Sequence, residues 1–300
     1  MPATVSETVD LAIAAEVAGF DAAWFASPAR SADVFTALSA VARATTGIEL
    51  GTAIATIWVR HPYIAYQQAI SLQEIADGRF KLGLGVSHEA FATSLGLAYE
   101  KPIKAITEYA TIVRSLVEHG WVEYTGEFFS TTIESGQPHL RLPIYLAAVG
   151  EAMSGVAGRL ADGVLPVATP PSYVEEVIVP ALVASARAVN RSTPTIGVLV
   201  PTSLSQDPDA VLAAVRSQIG SFPRVPAYEK IFKKIDPRDG PAEWNHATAD
   251  AIVTYGHRER VEDRVAAYSA AGVDELVVMP MDHGGFTTPG MLEGYRALYA

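Results

Sequence analysis

Short apolar runs alternate with segments of helical periodicity along the first part of the chain. The runs lie at 22–26, 48–54 and 80–86, and the segments between them place their apolar residues on one helical face. Short links join the runs to these segments. Such alternation is typical of right-handed βα crossovers, and it therefore predicts a parallel sheet.

The same rhythm continues less evenly to an apolar run that ends at Met279. In total the pattern predicts seven strands, at 22–26, 48–54, 80–86, 143–148, 163–168, 195–200 and 275–279. A TIM (β/α)8 barrel needs eight strands, and the first is the one not found, because Met1–Ala3 are too few residues to form it. We therefore expect an α/β fold of the TIM (β/α)8 type whose first strand is missing or truncated.

No linker and no shift in composition divides the chain, so residues 1–300 are predicted to form a single domain. Two longer segments, at about 88–142 and 201–256, interrupt the rhythm as insertions. The part from Trp121 to Leu142 shows no regular pattern and is expected to be irregular. Insertions of this kind are expected to shape a substrate pocket, because loops carried on a rigid scaffold commonly hold binding residues.

Composition excludes several classes of protein. A hydrophobic fraction of 49% with 18% charged residues indicates a large core rather than disorder. A net charge of −11 argues against a nucleic-acid partner, and zero cysteines exclude disulfides and cysteine zinc sites. No signal peptide and no uncharged run of membrane-spanning length is found, so we expect a soluble, cytoplasmic protein with no membrane partner.

In a parallel barrel, chemistry lies at the carboxyl ends of the strands. The turn Val149–Ala152 leads from a strand into a helix through a glycine, which suits an anion such as phosphate but also suits an ordinary βα turn. Ser87 and His88 end the glycine-rich strand and could add donors to the same anion. His88 could instead be a catalytic group, or an exposed imidazole that caps a turn.

Aromatic residues near the strand ends form a second candidate set. Trp24, Trp58 and Phe91 could line a pocket for a flat ring or substrate, or they could belong to the core. No complete GxGxxG fingerprint, P-loop, GxSxG elbow or HExxH motif is present. The sequence thus identifies neither a catalytic side chain nor a metal site, and an organic cofactor becomes the favoured carrier of chemistry.

Four segments resemble a known family in matching order, at 18–24, 48–62, 78–88 and 142–163. The chain resembles the luciferase-like flavin and deazaflavin oxidoreductases, and within them the branch that uses coenzyme F420. The resemblance covers most of residues 9–190 and is looser beyond them. It implies a TIM barrel that holds the deazaflavin across its mouth, acts on a small-molecule substrate and forms a homodimer.

The same resemblance implies a set of cofactor-binding residues. A non-proline cis peptide supporting the ring maps to Ala53–Ile54, with Thr56 near the pyrimidine edge. The phosphate of the cofactor is expected to bind to the backbone N–H groups after Val149. The residues after the glycine-rich strand are expected to contact the same phosphate. The full implied set is Ala53, Ile54, Ala55, Thr56, Ser87, His88, Gly150, Glu151, Ala152 and Met153.

Two departures from the family pattern bear on the reaction. Relatives that oxidise alcohols carry an Asp-His pair and a glutamate where this chain has Ala26-Ser27-Pro28 and His88. The resemblance therefore favours a reductase, in which reduced coenzyme F420 delivers hydride to an activated C=C, C=N or C=O bond. Two alternatives stand beside it, an FMN-dependent monooxygenase and a non-catalytic barrel that no longer binds a cofactor.

Overall fold

Parallel strands form one curved sheet in the computed structural model, which describes residues 4–26, 32–136, 140–237, 242–282 and 288–299. The strands of this sheet are β1 (Ala22–Phe25), β2 (Glu49–Thr52), β3 (Ala55–Thr56), β4 (Phe80–Gly85), β7 (Ile144–Leu146), β8 (Gly163–Val164), β9 (Thr195–Thr202) and β10 (Glu275–Pro280). The remaining two, β5 (Trp121–Thr125) and β6 (Ser130–Glu134), form a separate antiparallel hairpin.

Helices connect successive strands of the sheet. They are α1 (Val5–Val17), α2 (Val34–Ala44), α3 (Pro62–Ile75), α4 (Glu89–Ser94), α5 (Pro102–His119), α6 (Glu151–Leu160), α7 (Pro171–Tyr173), α8 (Val179–Ala188), α9 (Pro208–Ile219), α10 (Pro226–Ile235), α11 (His246–Ile252), α12 (Arg258–Ala270) and α13 (Pro289–Leu298). Thr4 caps α1 in a capping box with Glu7, and both reciprocal hydrogen bonds are present. Pro62 and Pro102 stand at first-turn positions, where a missing N–H costs nothing.

The strand order around the sheet is β1-β2-β4-β7-β8-β9-β10, and every neighbouring pair is parallel. This arrangement is a nearly closed barrel of seven strand positions, which confirms the predicted TIM-type α/β fold. Within the described ranges no strand precedes α1, and β1 and β10 form the two ends of the sheet.

The second strand position is interrupted at its carboxyl end. β2 pairs with the first two residues of β4, and β3 pairs with its last two, so β2 and β3 occupy one position in succession. Between them the Ala53–Ile54 peptide bond is cis, as the family resemblance implied. After this break, Thr56 lies opposite Gly85 at the carboxyl end of β4.

Two apolar layers hold the barrel. The larger one lies between the sheet and the helices, and the smaller one fills the barrel interior with Tyr145, Leu165 and Leu199 at its centre. Interior glycines make room for the large rings, since a Cβ on Gly51 would lie 2.2 Å from the Trp24 indole. At the amino end of the interior, Lys81 forms ion pairs with Glu49 (2.8 Å) and Glu275 (3.0 Å).

The structure corrects the expectation for the segment from Trp121 to Leu142. Most of it is the β5–β6 hairpin, and residues 137–139 lie outside the described ranges. Buried Glu108 of α5 organises the hairpin turn by accepting hydrogen bonds from the N–H groups of Glu127, Phe128 and Phe129. The partner that orders this turn is distant in sequence, so no local pattern predicted the hairpin.

The predicted insertion at 201–256 is largely helical. β9 extends through Thr202, and helices α9, α10 and α11 follow before the chain returns to the barrel with α12. Among the residues that the structure describes, no helix is both long enough and apolar enough to cross a membrane.

Candidate functional site

The carboxyl ends of β4 and β7 lie side by side. The amide of Ala147 donates to the carbonyl oxygen of Leu84 at 2.9 Å, and a Cβ on Gly85 would lie only 3.1 Å from Cβ of Ala147. The segments that follow these strands, Ser87-His88 and Val149–Met153, therefore emerge from neighbouring positions at one edge of the barrel. This juxtaposition follows from the parallel register.

Ser87 is held in a strained turn at the exit of β4. Its φ of 54° is left-handed, a conformation that is uncommon for residues other than glycine. The hydroxyl of Tyr99 donates to the Ser87 carbonyl oxygen at 3.2 Å, and the Trp58 indole Nε1 donates to that of Val86 at 2.7 Å. These two aromatic side chains, whose rings pack 5.4 Å apart, fix the backbone of the turn.

His88 begins α4 and leaves its imidazole without a role in capping that helix. The ring is partly buried against Phe222 (5.6 Å between centroids) and Tyr228 (6.1 Å) from the helical insertion. Burial lowers the pKa of His88 below its usual value, because the charged form loses solvation among these rings. The imidazole is therefore biased toward its neutral form.

Gly150 stands at the start of α6, and no side chain caps that helix end. Its carbonyl oxygen accepts from both the amide and the hydroxyl of Ser154, each at 3.0 Å. A Cβ on Gly150 would meet no atom within 4 Å, so the space in front of the helix is open. An uncapped helix N-terminus facing open space, beside a second polar turn, can bind an anion.

The cis peptide at Ala53–Ile54 lies against the end of β4. A Cβ on Gly85 would lie 3.0 Å from Cδ1 of Ile54, so glycine avoids a tight contact between the two strands here. Ala55 and Thr56, which follow in β3, are both buried. Oγ1 of Thr56 is buried with no hydrogen-bond partner in the described part of the chain, which leaves a polar group available to a ligand.

The three predicted pocket aromatics separate into two places. Trp24 lies in the barrel interior with its ring 5.2 Å from that of Tyr145. Trp58 and Phe91 instead belong to the β4 exit, Trp58 through its hydrogen bond to Val86 and Phe91 as a partly buried residue of α4. Of the β1 exit, Ala26 is described, while Ser27 and Pro28 lie outside the described residues.

The sequence of this chain matches a known family across the whole barrel. The family described as luciferase-like monooxygenase matches residues 1–278. The chain belongs to this family. The membership confirms the family predicted from the four sequence segments.

One relative of this luciferase-like chain is the 5,10-methylenetetrahydromethanopterin reductase of Methanolobus tindarius. The two are 30% identical over 210 residues, which cover 68% of this chain and 63% of the reductase. The chain thus spans slightly less than two thirds of the length of that relative.

Solved structures of the luciferase-like fold agree with the barrel. The coenzyme F420-dependent tetrahydromethanopterin reductase of Methanopyrus kandleri superposes with a TM-score of 0.77 at 24% identity, covering 97% of this chain and 94% of the reductase. A type II Baeyer-Villiger monooxygenase of Pseudomonas putida in complex with FMN gives 0.70 at 16% identity, covering 97% and 91%. At these identities the likeness is one of fold.

Sequence reasoning did not identify three residues that shape the edge of this luciferase-like barrel. Tyr99 holds the Ser87 carbonyl, and Phe222 and Tyr228 cover His88. All three lie in the predicted insertions, where helical or strand periodicity carries no information about which strand exit they contact. Two aromatic residues six positions apart, Phe222 and Tyr228, with two prolines between them, were the available signal. In the described ranges, no group of three metal-ligating side chains is found.

Proposed function

We propose that this protein is a coenzyme F420-dependent oxidoreductase that reduces an unsaturated small organic molecule. The observation that carries the proposal is the juxtaposition of the uncapped α6 N-terminus with the Ser87-His88 turn, at the mouth of a luciferase-like barrel. The 30% identity to a methylenetetrahydromethanopterin reductase supports F420 as the cofactor. The structural likeness to an F420-dependent enzyme agrees with it at the level of the fold.

The anionic part of the cofactor is assigned to the α6 end of the site. The amides of Glu151, Ala152 and Met153 lie in the first turn of α6, where N–H groups have no partner within the helix. Because the chain carries a net charge of −11, an anion gains no long-range attraction and depends on such local donors. Ser87 and His88 add a hydroxyl and an imidazole from the neighbouring strand exit.

The ring is assigned to the broken strand position. The Ala53–Ile54 peptide and Ala55 form an apolar support, and the Thr56 hydroxyl offers one hydrogen bond to a polar ring edge. When bound in its reduced form, the deazaflavin supplies a hydride. The residues of this chain bind and orient it, and the buried surroundings of Ala55 and Thr56 exclude water from that face.

The direction of reaction is inferred from the side chains at the strand exits. Alcohol oxidation needs a group that accepts the hydroxyl proton. The exit of β1 begins with Ala26, which cannot accept a proton, and His88 at the exit of β4 is assigned to the cofactor phosphate. Reduction of an activated C=C, C=N or C=O bond adds a hydride and a proton, and solvent can supply that proton, so we assign the protein as a reductase.

FMN is the second candidate cofactor, and an FMN-dependent monooxygenase the second candidate function. The family description and the likeness to an FMN-bound monooxygenase favour it. FMN also carries a phosphate, so the α6 end suits either cofactor. A non-catalytic barrel is the third candidate, and it is favoured by the outer edges of β1 and β10, which pair with no strand among the described residues. The proposal further includes a homodimer in the cytoplasm, which sedimentation of the purified protein and cell fractionation would check.

Titration of the purified protein with coenzyme F420 and with FMN, followed by fluorescence, tests the proposal. We expect F420 to bind more tightly, and His88→Gln to weaken it by about tenfold, or about 1.4 kcal/mol. His257→Gln is the matched control, since His257 also begins a helix without capping it and is exposed. Preferential binding of FMN would overturn the cofactor assignment, and no binding of either by folded protein would favour the non-catalytic barrel.

A second assay tests the direction. Protein loaded with reduced F420 is mixed with a panel of enones, imines and carbonyl compounds. Protein loaded with oxidised F420 is mixed with secondary alcohols. Oxidation of the reduced cofactor by a member of the first panel supports the assignment. Turnover of alcohols alone contradicts it.

A further inference from the structure

Helix α10 packs against side chains from two different strand exits. Near the start of this helix, the Tyr228 ring lies 6.1 Å from that of His88, which follows β4. Near its end, Lys234 forms an ion pair with Glu176, and its Nζ lies 5.9 Å from the centre of the Tyr173 ring. Tyr173 and Glu176 follow β8, so α10 connects the exit of β4 with the exit of β8.

The exit of β7 lies between these two contacts, because the strand order is β4-β7-β8. Two strand positions in a sheet are about 10 Å apart. From Tyr228 to Lys234 the helix rises about 9 Å, at 1.5 Å per residue. The span of α10 therefore matches the distance from β4 to β8, and α10 bridges the exit of β7. That exit leads to Gly150 and the N-terminus of α6, the end assigned above to the cofactor phosphate.

The helix that follows β8 brings Tyr173 close to the first turn of α6. α7, a π-helical turn (Val174–Ile178) and α8 follow one another without a break. A Cβ on Gly158 of α6 would lie 2.5 Å from the carbonyl oxygen of Leu182 in α8, so the two helices are in close contact. Both follow neighbouring parallel strands and return in the same direction. Their first turns therefore lie side by side at the carboxyl edge of the barrel.

Tyr173 presents an unused hydrogen-bond donor at this place. Its side chain is buried, with 5% exposure, and its hydroxyl makes no hydrogen bond within the part of the chain that the structure describes. Burial raises the pKa of this hydroxyl, the Lys234 ammonium lowers it, and the Glu151 carboxylate of α6 raises it. The hydroxyl thus lies within the influence of both charges. A neutral phenol between a helix N-terminus and an ammonium group can donate to an anion.

A phosphate at the α6 end needs a positive charge that the residues assigned to it so far do not supply. Ser87 is uncharged, His88 is biased toward its neutral form, and Glu151 adds a negative charge to the first turn of α6. The net charge of −11 provides no long-range attraction either. The Lys234 side chain is 43% exposed and its stem is flexible, so its ammonium can move from Glu176 to a bound phosphate.

We propose that Tyr173 and Lys234 bind the phosphate of the cofactor from the β8 side and select for cofactors that carry it. These roles rest on the proposed function, in which the phosphate lies at the α6 N-terminus. The Tyr173 hydroxyl donates one hydrogen bond, and the Lys234 ammonium supplies the positive charge. Both F420 and FMN carry a phosphate, so the roles are the same for either cofactor.

Affinities for two pairs of compounds test the proposal. The pairs are FMN with riboflavin, and F420 with its phosphate-free deazaflavin core. Within each pair the ring is the same, so the ratio of the two affinities reports the phosphate-bearing side chain. We expect Tyr173→Phe and Lys234→Gln each to lower this ratio by about tenfold, because a hydrogen bond to a charged group is lost. Affinity for the phosphate-free compound should stay unchanged.

Lys233→Gln and Tyr124→Phe are the matched controls. Lys233 pairs with Glu229 within α10 at 2.6 Å, and Tyr124 lies on the β5–β6 hairpin, so both variants should keep the wild-type ratio. If the wild type prefers the phosphate compounds, an unchanged ratio in Tyr173→Phe or Lys234→Gln would overturn this proposal alone. A wild type without that preference, or one that binds none of the four compounds, would overturn the phosphate assignment of the proposed function as well.

Glu176→Gln separates binding of the phosphate by Lys234 from a purely structural role. If the ion pair between Lys234 and Glu176 only fastens α10 to the helix after β8, Glu176→Gln should lower the ratio as much as Lys234→Gln does. That result would overturn the proposal. If Lys234 binds the phosphate, removal of the competing carboxylate should keep the ratio or raise it. Circular dichroism of each variant checks that it is folded, and Glu176→Gln keeps the test decisive where Lys234→Gln does not fold.

Discussion

The indole Nε1 of Trp58 donates a 2.7 Å hydrogen bond to the carbonyl oxygen of Val86. This bond crosses from the end of the β2–β3 position to the exit of β4, and so it couples the broken strand to the Ser87-His88 turn. A residue predicted to line a pocket thus also acts as a donor that positions the proposed cofactor site.

Trp58→Phe removes this donor while keeping an aromatic ring. We expect a loss of about 1 kcal/mol in the free energy of unfolding, because the Val86 carbonyl loses its partner, together with weaker cofactor binding. Urea denaturation and cofactor titration measure the two effects. Trp121→Phe is the control, since Trp121 is 54% exposed. Its unfolding free energy should differ from that of the wild type by no more than about 0.5 kcal/mol. Equal stability of both variants would contradict the role given to Trp58.

Two buried threonines on the second strand position have opposite predictions. The Thr52 hydroxyl donates to the Gly83 carbonyl (2.8 Å) and accepts from its amide (2.9 Å), whereas the Thr56 hydroxyl has no partner in the described residues. Thr52→Val should therefore cost about 1–3 kcal/mol of unfolding free energy. Thr56→Val should leave the unfolding free energy unchanged or raise it, and it should weaken cofactor binding. A destabilised Thr56→Val protein would show that its hydroxyl has a structural role.

Gly83→Ala tests how closely β2 and β4 approach. A Cβ at this position would lie 1.8 Å from the Thr52 carbonyl oxygen, so the backbone must move. Overpacking typically costs about 1–3 kcal/mol of unfolding free energy. We expect Gly83→Ala to cost at least the upper value of that range. Gly290→Ala in α13 is the control, because a Cβ there meets nothing within 4 Å. This substitution should raise the unfolding free energy by about 0.4–1 kcal/mol. Thermal denaturation of both variants measures the difference.

His88 should make stability depend on pH in a defined direction. Burial lowers its pKa in the folded protein, so between that value and the unfolded value of about 6.5 the unfolded chain binds more protons. The stability that neutral His88 contributes is complete above about pH 6.5 and declines as pH falls through that window. As pH falls from 8 to 5, we therefore expect the unfolding free energy of the wild type to decrease relative to that of His88→Gln.

Cofactor binding should respond to the same group with the opposite sign. A phosphate beside His88 stabilises the protonated imidazole, so affinity for F420 should increase as pH falls from 8 to 6. His257→Gln should retain both pH dependences, and His88→Gln should lose both. Affinity that is flat with pH in the wild type would argue against His88 as a phosphate ligand.

The barrel and the edge that carries the candidate site could be read from local patterns. Apolar runs ending in Ser87-His88 and in Val149-Gly150 mark strand exits, and parallel strands bring their exits to one edge, so these residues could be placed together without coordinates. The cis bond at Ala53–Ile54 followed from family resemblance, and no local pattern in the chain indicates it.

Contacts between distant segments could not be read in this way. The hairpin at Trp121–Glu134 depends on Glu108, and the low pKa of His88 depends on Phe222 and Tyr228. Trp24 and Trp58 have similar sequence surroundings, at strand ends, yet one fills the barrel interior and the other donates to Val86. Periodicity reports which face of an element is apolar, and it does not report which partner covers that face.

The amino-acid sequence by itself determined the α/β rhythm, the parallel sheet and the residues at its carboxyl edge, because strand burial and helix amphipathicity are encoded in short stretches of chain. Only the tertiary structure decided that the buried Thr56 hydroxyl has no partner among the described residues, that Tyr99 and Trp58 hold the β4 exit, and that β1 and β10 face each other across a cavity. Each of these depends on hydrogen bonds or spaces between residues far apart in sequence, which exist only once the chain has folded.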